Sequence, residues 1–409
     1  MFESTIILFI VFNLLISVYL QIRNILALYK DKSEISKKIS TEEEYKQMQN
    51  YNRDKLFFGI LKSIISALKD ILTIKLRLNQ KLFDKFFRDT YMSEVVFFLA
   101  TYNINSILET PFDMFSTFFI EHVHGFNKMT LGLFITDLIK KTMIINITFF
   151  LLLNVVLKLV SNYLSSFWLY LWTFLSVFQI AMVVIYPVFI QPSFNKFTEL
   201  ADGSLKDKIK ALSGKIGFKA SKIFVMDGSK RSGHSNAYFV GLTKEKRIVL
   251  YDTLIDQLDE DEIIAVLCHE FGHWCNSHTL KLACNILIQQ LFLFWFTNQL
   301  LNNEYFTKML FYQDEPLIIK LMYASYFLNI MEYPVTLFNN IITRIFERES
   351  DLFAVQQGYG KDLSSALVKL SKENKGNLSP DYLYSTFNHS HPTLVERMQL
   401  VEDEMKKLE

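Results

Sequence analysis

The stretch Leu258–Trp274, LDEDEIIAVLCHEFGHW, carries two messages. Its first half starts a helix. Asp259 and Glu262 have the Asp-x-x-Glu spacing of a capping box, and acidic residues fill the first turn, where the helix dipole favours them. Its second half puts chemistry on that helix. His269 and His273 are four residues apart, so both rings lie on one face and can turn nitrogens toward one ion. Glu270 follows the first of them, within reach of a water on that ion. His-Glu-x-x-His is the pattern of a zinc site with its general base. A catalytic zinc uses three protein ligands and keeps one position open. The metal lowers the pKa of its water, and the carboxylate takes the proton and later passes it on. Cys268 and Cys275 are not part of this set. Around the helix they lie about 100° from His269 and about 200° from His273 respectively, off the ligand face.

The surrounding chain does not read like a soluble hydrolase. Half of its 409 residues are hydrophobic, 15% are aromatic, and Phe alone accounts for 38. Mean hydropathy is +0.19, and an ordinary soluble domain does not need so much apolar surface. The net charge of +1 gives no case for nucleic-acid binding. Three cysteines form no disulfide framework, which fits thiols facing the cytosol or lying in the membrane.

Seven apolar runs approach bilayer length. They begin with a retained N-terminal helix from Ile6, which lacks the basic flank and cleavage site of a signal peptide. The others are Leu56–Leu76, Glu94–Ile120, Met143–Val160, Phe167–Ile190, Leu282–Leu301 and Leu317–Phe346. Several contain polar groups, among them Lys62, Asn103, Glu109, Asp113, Gln289 and Glu332. Such groups are costly in lipid and face protein or water. Their number implies a wet interior between the helices; pairing from helix to helix is the other way to satisfy them. Basic residues crowd the segments Gln21–Lys55 and Asn195–Lys281 and the C-terminal tail, while Ser161–Ser166 and Asn302–Pro316 have almost none. That asymmetry places the basic segments in the cytosol, although Lys81, Lys85 and Arg88 run against it.

Between the fifth and sixth runs, KIFVMDGS (Lys222–Ser229) reads as a strand. NAYFVGL (Asn236–Leu242) and RIVLYDTL (Arg247–Leu254) read as a hairpin turning at Thr243–Lys246. The chain thus divides into residues 1–190, a membrane region of five spans, and 191–280, a protease segment with the hairpin and the His-Glu-x-x-His helix. Residues 281–347 supply the last two spans, and 348–409 the C-terminal helices. The best source of a third ligand is TRIFERESDLFA (Thr343–Ala354). Glu347 and Asp351 share one helical face, so one can bind zinc while the other supports a ligand imidazole. Glu349 lies about 200° away and reads as a solvated or salt-bridged charge. The alternative is an exposed charged helix. The remaining histidines are not separated by spacing.

At this point the sequence resembles a known family: the type I CAAX prenyl proteases, the Ste24-like integral-membrane zinc metalloproteases. The resemblance spans nearly the whole chain. It is dense at Glu109–Lys140, at HSNAYFVGLTKEKRIVLYDTL (His234–Leu254), at HEFGHW, at RIFERESDLFA and at HSHPTLVERM (His389–Met398). It implies an all-α polytopic membrane protein, with seven transmembrane helices around a large hydrated chamber. A gluzincin-type zinc metalloprotease domain carries the small β-hairpin. It implies one Zn2+ held by His269, His273 and Glu347, with Glu270 as general base and Asp351 behind the ligands. Asn236 and Ala237 match an edge that pairs with substrate backbone. His391 and Arg397 match a pair associated with the polarised carbonyl and with substrate binding.

The implied reaction removes the last three residues of prenylated CAAX proteins, by a monomer among membrane lipids. The implied setting is the endoplasmic reticulum membrane and the continuous nuclear envelope, with the catalytic side and C-terminus cytosolic. Lys406 and Lys407, fourth and third from the end, resemble a dilysine retrieval signal. Two departures stand out. Thr393 occupies a place often held by Pro, and FERESD replaces a more usual Phe-Glu-aromatic-Gln-Ala-Asp. Two other readings remain: a general membrane quality-control zinc protease, and a transporter or catalytically silent scaffold.

Overall fold

The computed structural model describes residues 2–30, 32, 34–88, 92–218, 220–240, 246–304 and 316–409. Long helices dominate. In the first half these are α1 (Phe2–Leu28), α2 (Glu42–Lys75), α3 (Ser93–Phe115), α4 (Leu131–Asn162) and α5 (Phe167–Ile185). Among the described residues, four helical segments are long and apolar enough to cross a membrane: Glu3–Leu28, Leu131–Asn162, Phe167–Phe194 and His278–Asn302. They turn large apolar side chains outward, including Leu8, Leu151, Val177 and Ile288, each more than 60% exposed. A surface like that belongs against lipid.

The other three expected spans are helical, but each departs from a plain apolar rod. Leu56–Leu76 lies inside α2, and its lysines are answered from α3. Lys62 stands 3.2 Å from Glu109 and 3.3 Å from Asp113, and Lys69 stands 3.7 Å from Glu109. Glu94–Ile120 is α3 followed by a wide π-type turn, Ser116–Glu121. Leu317–Phe346 is not one helix. It is divided by a 3-10 turn at Asn329–Met331, with Leu317–Leu328 before it and Glu332–Gln356 after it.

Much of the intramembrane polarity pairs from helix to helix. Asn103 and Asn146 exchange amide hydrogen bonds between α3 and α4. Gln179 on α5 donates to Gln290, and Asn285 and Gln289 donate to Asn339. Some polarity instead lines a cleft of about 510 Å³, which Asn13, Ser17, Ser63, Asp70 and Glu332 border.

The protease unit has a four-stranded sheet: β1 (Phe197–Glu199), β2 (Ala220–Met226), β3 (Ala237–Val240) and β4 (Lys246–Tyr251), in the order β1-β2-β4-β3. The expected strand is β2, and β3 pairs antiparallel with β4 as expected of a hairpin, with Phe239 opposite Ile248. Of the expected turn, Thr243–Lys246, Lys246 opens β4 instead, and residues 243–245 lie outside the described residues. β2 and β4 are parallel, and β3 is left at the edge.

Helices follow in order: α6 (Ser204–Ile216), α7 (Glu260–Cys275), α8 (His278–Asn302), α9 (Leu317–Leu328), α10 (Glu332–Gln356), α11 (Gly360–Glu373), α12 (Tyr382–Asn388) and α13 (Leu394–Leu408). The apolar face of α7, with Ile263, Ile264, Leu267 and Phe271, packs into one core with Ile209, Ile248, Leu250, Ala354 and Val401. Cys268 is fully buried in that core, where its thiol is pushed up to about 12 by burial.

Arginine forks tie this unit to the membrane helices. Arg231 donates to Asp137 on α4 through two nitrogens, at 2.8 and 3.0 Å, and Arg23 on α1 does the same to Asp381, at 3.0 Å each. Paired forks of this kind fix orientation as well as distance.

Candidate active site and metal centre

The start of α7 is locked before any chemistry is placed on it. The Asp259 N–H donates to Glu262 Oε2 at 2.9 Å, and Lys369 of α11 reaches both carboxylates. This closes the expected capping arrangement. Three turns on, His269 and His273 project from one face toward α10, where Glu347 faces them.

The crossing is close because Gly272 has no side chain. A Cβ there would lie 2.9 Å from Ser350 Cα and 3.1 Å from Ser350 Cβ, and Ser350 is fully buried. Gly272→Ala is therefore expected to force α7 and α10 apart by a few tenths of an ångström. The cost is about 1–3 kcal/mol of overpacking, with zinc retention reduced as well. A thermal melt and metal analysis check this; an unchanged melting temperature and stoichiometry would show that the crossing has slack.

The resulting triangle is tight. His269 Nε2 lies 3.3 Å from His273 Nε2 and 3.4 Å from Glu347 Oε2, and His273 Nε2 lies 3.2 Å from Glu347 Oε1. Among the described residues these three form the one group of this kind able to hold a metal. Their arrangement agrees with that role. His269 Nδ1 stands 2.8 Å from Asp351 Oδ1, so a neutral ring with its proton there turns the Nε2 lone pair toward the other two donors. Two imidazole nitrogens converging on a buried carboxylate favour a cation, or a proton, between them. Donors bound at about 2.0–2.1 Å in a tetrahedral zinc site stand about 3.4 Å apart, so the donor set fits zinc in both chemistry and spacing.

Asp351 is fully buried and accepts a fork from Arg397, Nη2 to Oδ1 at 2.6 Å and Nε to Oδ2 at 2.8 Å. Burial pushes this carboxyl up, but the guanidinium beside it and the His269 contact hold it below its ordinary value. Glu347 is likewise held low against burial by His269, His273 and His391. Burial lowers the His269 pKa; Asp351 and Glu347 outweigh that, and it rises to about 9. Glu270 moves in the other direction. Burial is the largest cause and raises its pKa. A carboxyl so placed binds a proton more readily than a solvated one.

Of the remaining expected residues, His391 and Arg397 reach this centre. His391 Nδ1 stands 2.8 Å from Glu347 Oε2, with its side chain 63% exposed on the open side of the site. Arg397 Nη1 is 4.0 Å from Glu347 Oε2. Thr393 is the N-cap of α13, with its own N–H donating to Glu396 Oε2 at 2.7 Å, a bond a proline could not make. Arg344 Nη2 also donates to both carboxylate oxygens of Glu396, fastening α13 to α10. Ala237 opens the edge strand and Asn236 directly precedes it, with the Asn236 carbonyl accepting from Tyr251 N–H. That strand lies over α7 through Phe239 stacked on Phe271 at 4.7 Å.

One neighbour was not separable by spacing. His278, the first residue of α8, has its Nδ1 3.0 Å from His273 Nδ1 and its Nε2 2.8 Å from Glu349. Glu349 thus accepts a hydrogen bond from His278, whose ring burial holds toward its neutral form, so the contact is not the salt bridge that was one of the two roles expected of it.

Apolar membrane helices joined to a His-His-Glu centre, with a carboxylate beside the first ligand, define a multi-pass membrane metallopeptidase. The comparisons specify the group. Residues 21–196 match the CAAX prenyl protease N-terminal family, described as five membrane helices, and residues 199–405 match peptidase family M48. A "CAAX prenyl protease 1 homolog" of Arabidopsis thaliana is 35% identical, covering 99% of both chains. The "CAAX prenyl protease 1" of Saccharomyces cerevisiae is 34% identical over 87% of this chain and 85% of its own. The crystal structure of S. mikatae Ste24p superposes with a TM-score of 0.92 at 32% identity, covering 98% of each chain. The chain belongs to the Ste24-like CAAX prenyl proteases of peptidase family M48.

Proposed function

We propose that this protein is a zinc metalloendopeptidase that removes the C-terminal three residues from prenylated CAAX proteins at the membrane. The observation that carries the reading is the triangle of His269, His273 and Glu347, 3.2–3.4 Å on a side, with Glu270 next in sequence to the first ligand. Bound there, Zn2+ would polarise the scissile carbonyl and acidify a water.

The chain's own groups do the rest. Glu270 takes the proton of the attacking water and returns it to the leaving amine nitrogen. His391, on the open side, offers an N–H where negative charge develops on the carbonyl oxygen. Asp351 and Arg397 hold the His269 ring in one tautomer and one orientation, and Arg397 Nη1, not used in that fork, faces the site and can reach substrate. The outer edge of β3 pairs with the extended peptide, which would take over the Ala237 N–H that here donates to Asn236 Oδ1.

The layout we favour has seven spans, with α2, α3 and the divided α9–α10 pair completing the four apolar helices around a hydrated chamber. The lysine–carboxylate pairs between α2 and α3 support it, since such pairs in lipid belong on the inner side of a bundle. We place the protease unit and both lysines of the C-terminal tail on the cytosolic face of the endoplasmic reticulum, with the protein acting as a monomer. A lipid-modified substrate accounts for the combination of parts: its isoprenoid needs the bilayer and its peptide bond needs water.

The test is purified protein given a farnesylated CAAX peptide and its unprenylated twin, with and without chelator. Cleavage of the prenylated peptide alone, abolished by chelator, is expected. Equal cleavage of both would favour a general membrane quality-control protease, and cleavage of neither would favour a silent scaffold.

A further inference from the structure

We propose that His278 and Glu349 form a positioning relay that fixes the tautomer of the metal ligand His273. The inference rests on the reading of His269, His273 and Glu347 as a zinc site. His273 directs Nε2 at the other two ligands, so its proton belongs on Nδ1. That nitrogen lies 3.0 Å from His278 Nδ1, and His278 Nε2 lies 2.8 Å from Glu349 Oε2. Only one set of protons satisfies the chain with both rings neutral. His273 Nδ1–H donates to the bare His278 Nδ1, and His278 Nε2–H donates to the carboxylate. His269 meets the same requirement directly, through Asp351. The two histidine ligands are thus oriented by different devices, one carboxylate at first remove and one at second remove.

The surroundings hold the relay in place. The His278 side chain is 1% exposed, and its ring stacks on Phe346 with centroids 4.2 Å apart and planes 6° apart. Ser277, just before it, adopts a left-handed backbone with φ 55°, uncommon for a residue with a side chain. That turn brings the first residue of α8 back over the last turn of α7. Glu349 contributes from α10, two residues beyond Glu347, so one helix supplies both a metal ligand and the far end of the relay.

The test uses the full chain in detergent and reads zinc affinity by chelator competition, together with the visible spectrum of the Co2+-substituted protein. His278→Leu removes the acceptor and is expected to weaken zinc by roughly 10–100-fold, the usual effect of losing such a partner, and to shift the cobalt bands. His278→Asn places Oδ1 where Nδ1 was and is expected to recover most of the affinity. Glu349→Gln, which keeps an acceptor, is expected to lose less than Glu349→Leu. Melting of the zinc-free forms separates these effects from packing. The relay is overturned if His278→Leu binds zinc as the wild type does. It is equally overturned if the Leu and Asn variants lose affinity alike and the zinc-free forms melt lower by the same amount. Wild-type protein that takes up no zinc would instead overturn the zinc reading itself.

Discussion

Glu270→Gln is expected to leave one zinc per chain and to lower kcat/KM by about 10²–10⁴-fold, the usual range for a general base. The upper figure corresponds to about 5.5 kcal/mol of transition-state stabilisation. The side chain is not one of the three converging donors, so metal content has no reason to change. The helix is not threatened either. Gln and Glu have similar helix propensities, and the start of α7 is held by Asp259, Glu262 and Lys369, two and more turns away. What the amide lacks is the ability to accept a proton from water and return it. Among the described residues, other candidates near the centre are engaged elsewhere: Asp351 is bound by Arg397 and His269, and Glu347 faces both histidines. Single-turnover cleavage of the farnesylated peptide, with metal analysis of the same preparation, is the measurement. A Glu270→Gln protein that cleaves at the wild-type rate would remove Glu270 from the base role. Loss of zinc together with activity would make it a ligand or a structural support instead.

What could be read from the sequence follows from the reach of local pattern. The 3.6-residue period put His269 and His273 on one face, and separately put Glu347 with Asp351, and the structure confirms both faces. Capping chemistry placed the start of α7 at Asp259, and alternation with turn residues gave β2, β3 and β4. Each inference stays inside one element. What lay beyond reach depends on how elements cross. Gly272 reads as a small residue, but only the α10 backbone at Ser350 shows why nothing larger fits. His278 stood among several unassigned histidines, because its partners His273 and Glu349 reach it through a left-handed turn and across a helix interface. The last apolar run failed as a single rod for a similar reason. Hydropathy averages over Asn329–Met331 and cannot sense a 3-10 break. The charges in the second and third runs are visible in sequence, but their pairing across α2 and α3 needs the packing. Thr393, a departure from the family pattern, turned out to be a helix cap.

Arg397→Leu is expected to cost about 3–5 kcal/mol of stability, the penalty for leaving one partner of a buried ion pair uncompensated. It should also weaken zinc binding by roughly 10–100-fold. Asp351 has no exposure, so solvent cannot replace the two lost donors. Burial then works without opposition from the guanidinium, and the carboxyl rises toward its protonated form. A protonated Asp351 is a poorer acceptor for His269 Nδ1–H, and the ligand ring loses its fixed orientation. The double variant Asp351→Leu with Arg397→Leu separates the two consequences. With both charges gone, no uncompensated charge remains in the interior, so the melting temperature should recover above that of the Arg397→Leu single variant. Zinc affinity should not recover, because His269 Nδ1–H still lacks its acceptor. Thermal melts of the detergent-solubilised proteins and chelator competition read the two quantities independently. If Arg397→Leu instead melts as the wild type does, holds zinc normally and only raises KM, then the fork to Asp351 contributes little, and Arg397 serves the substrate through Nη1 alone.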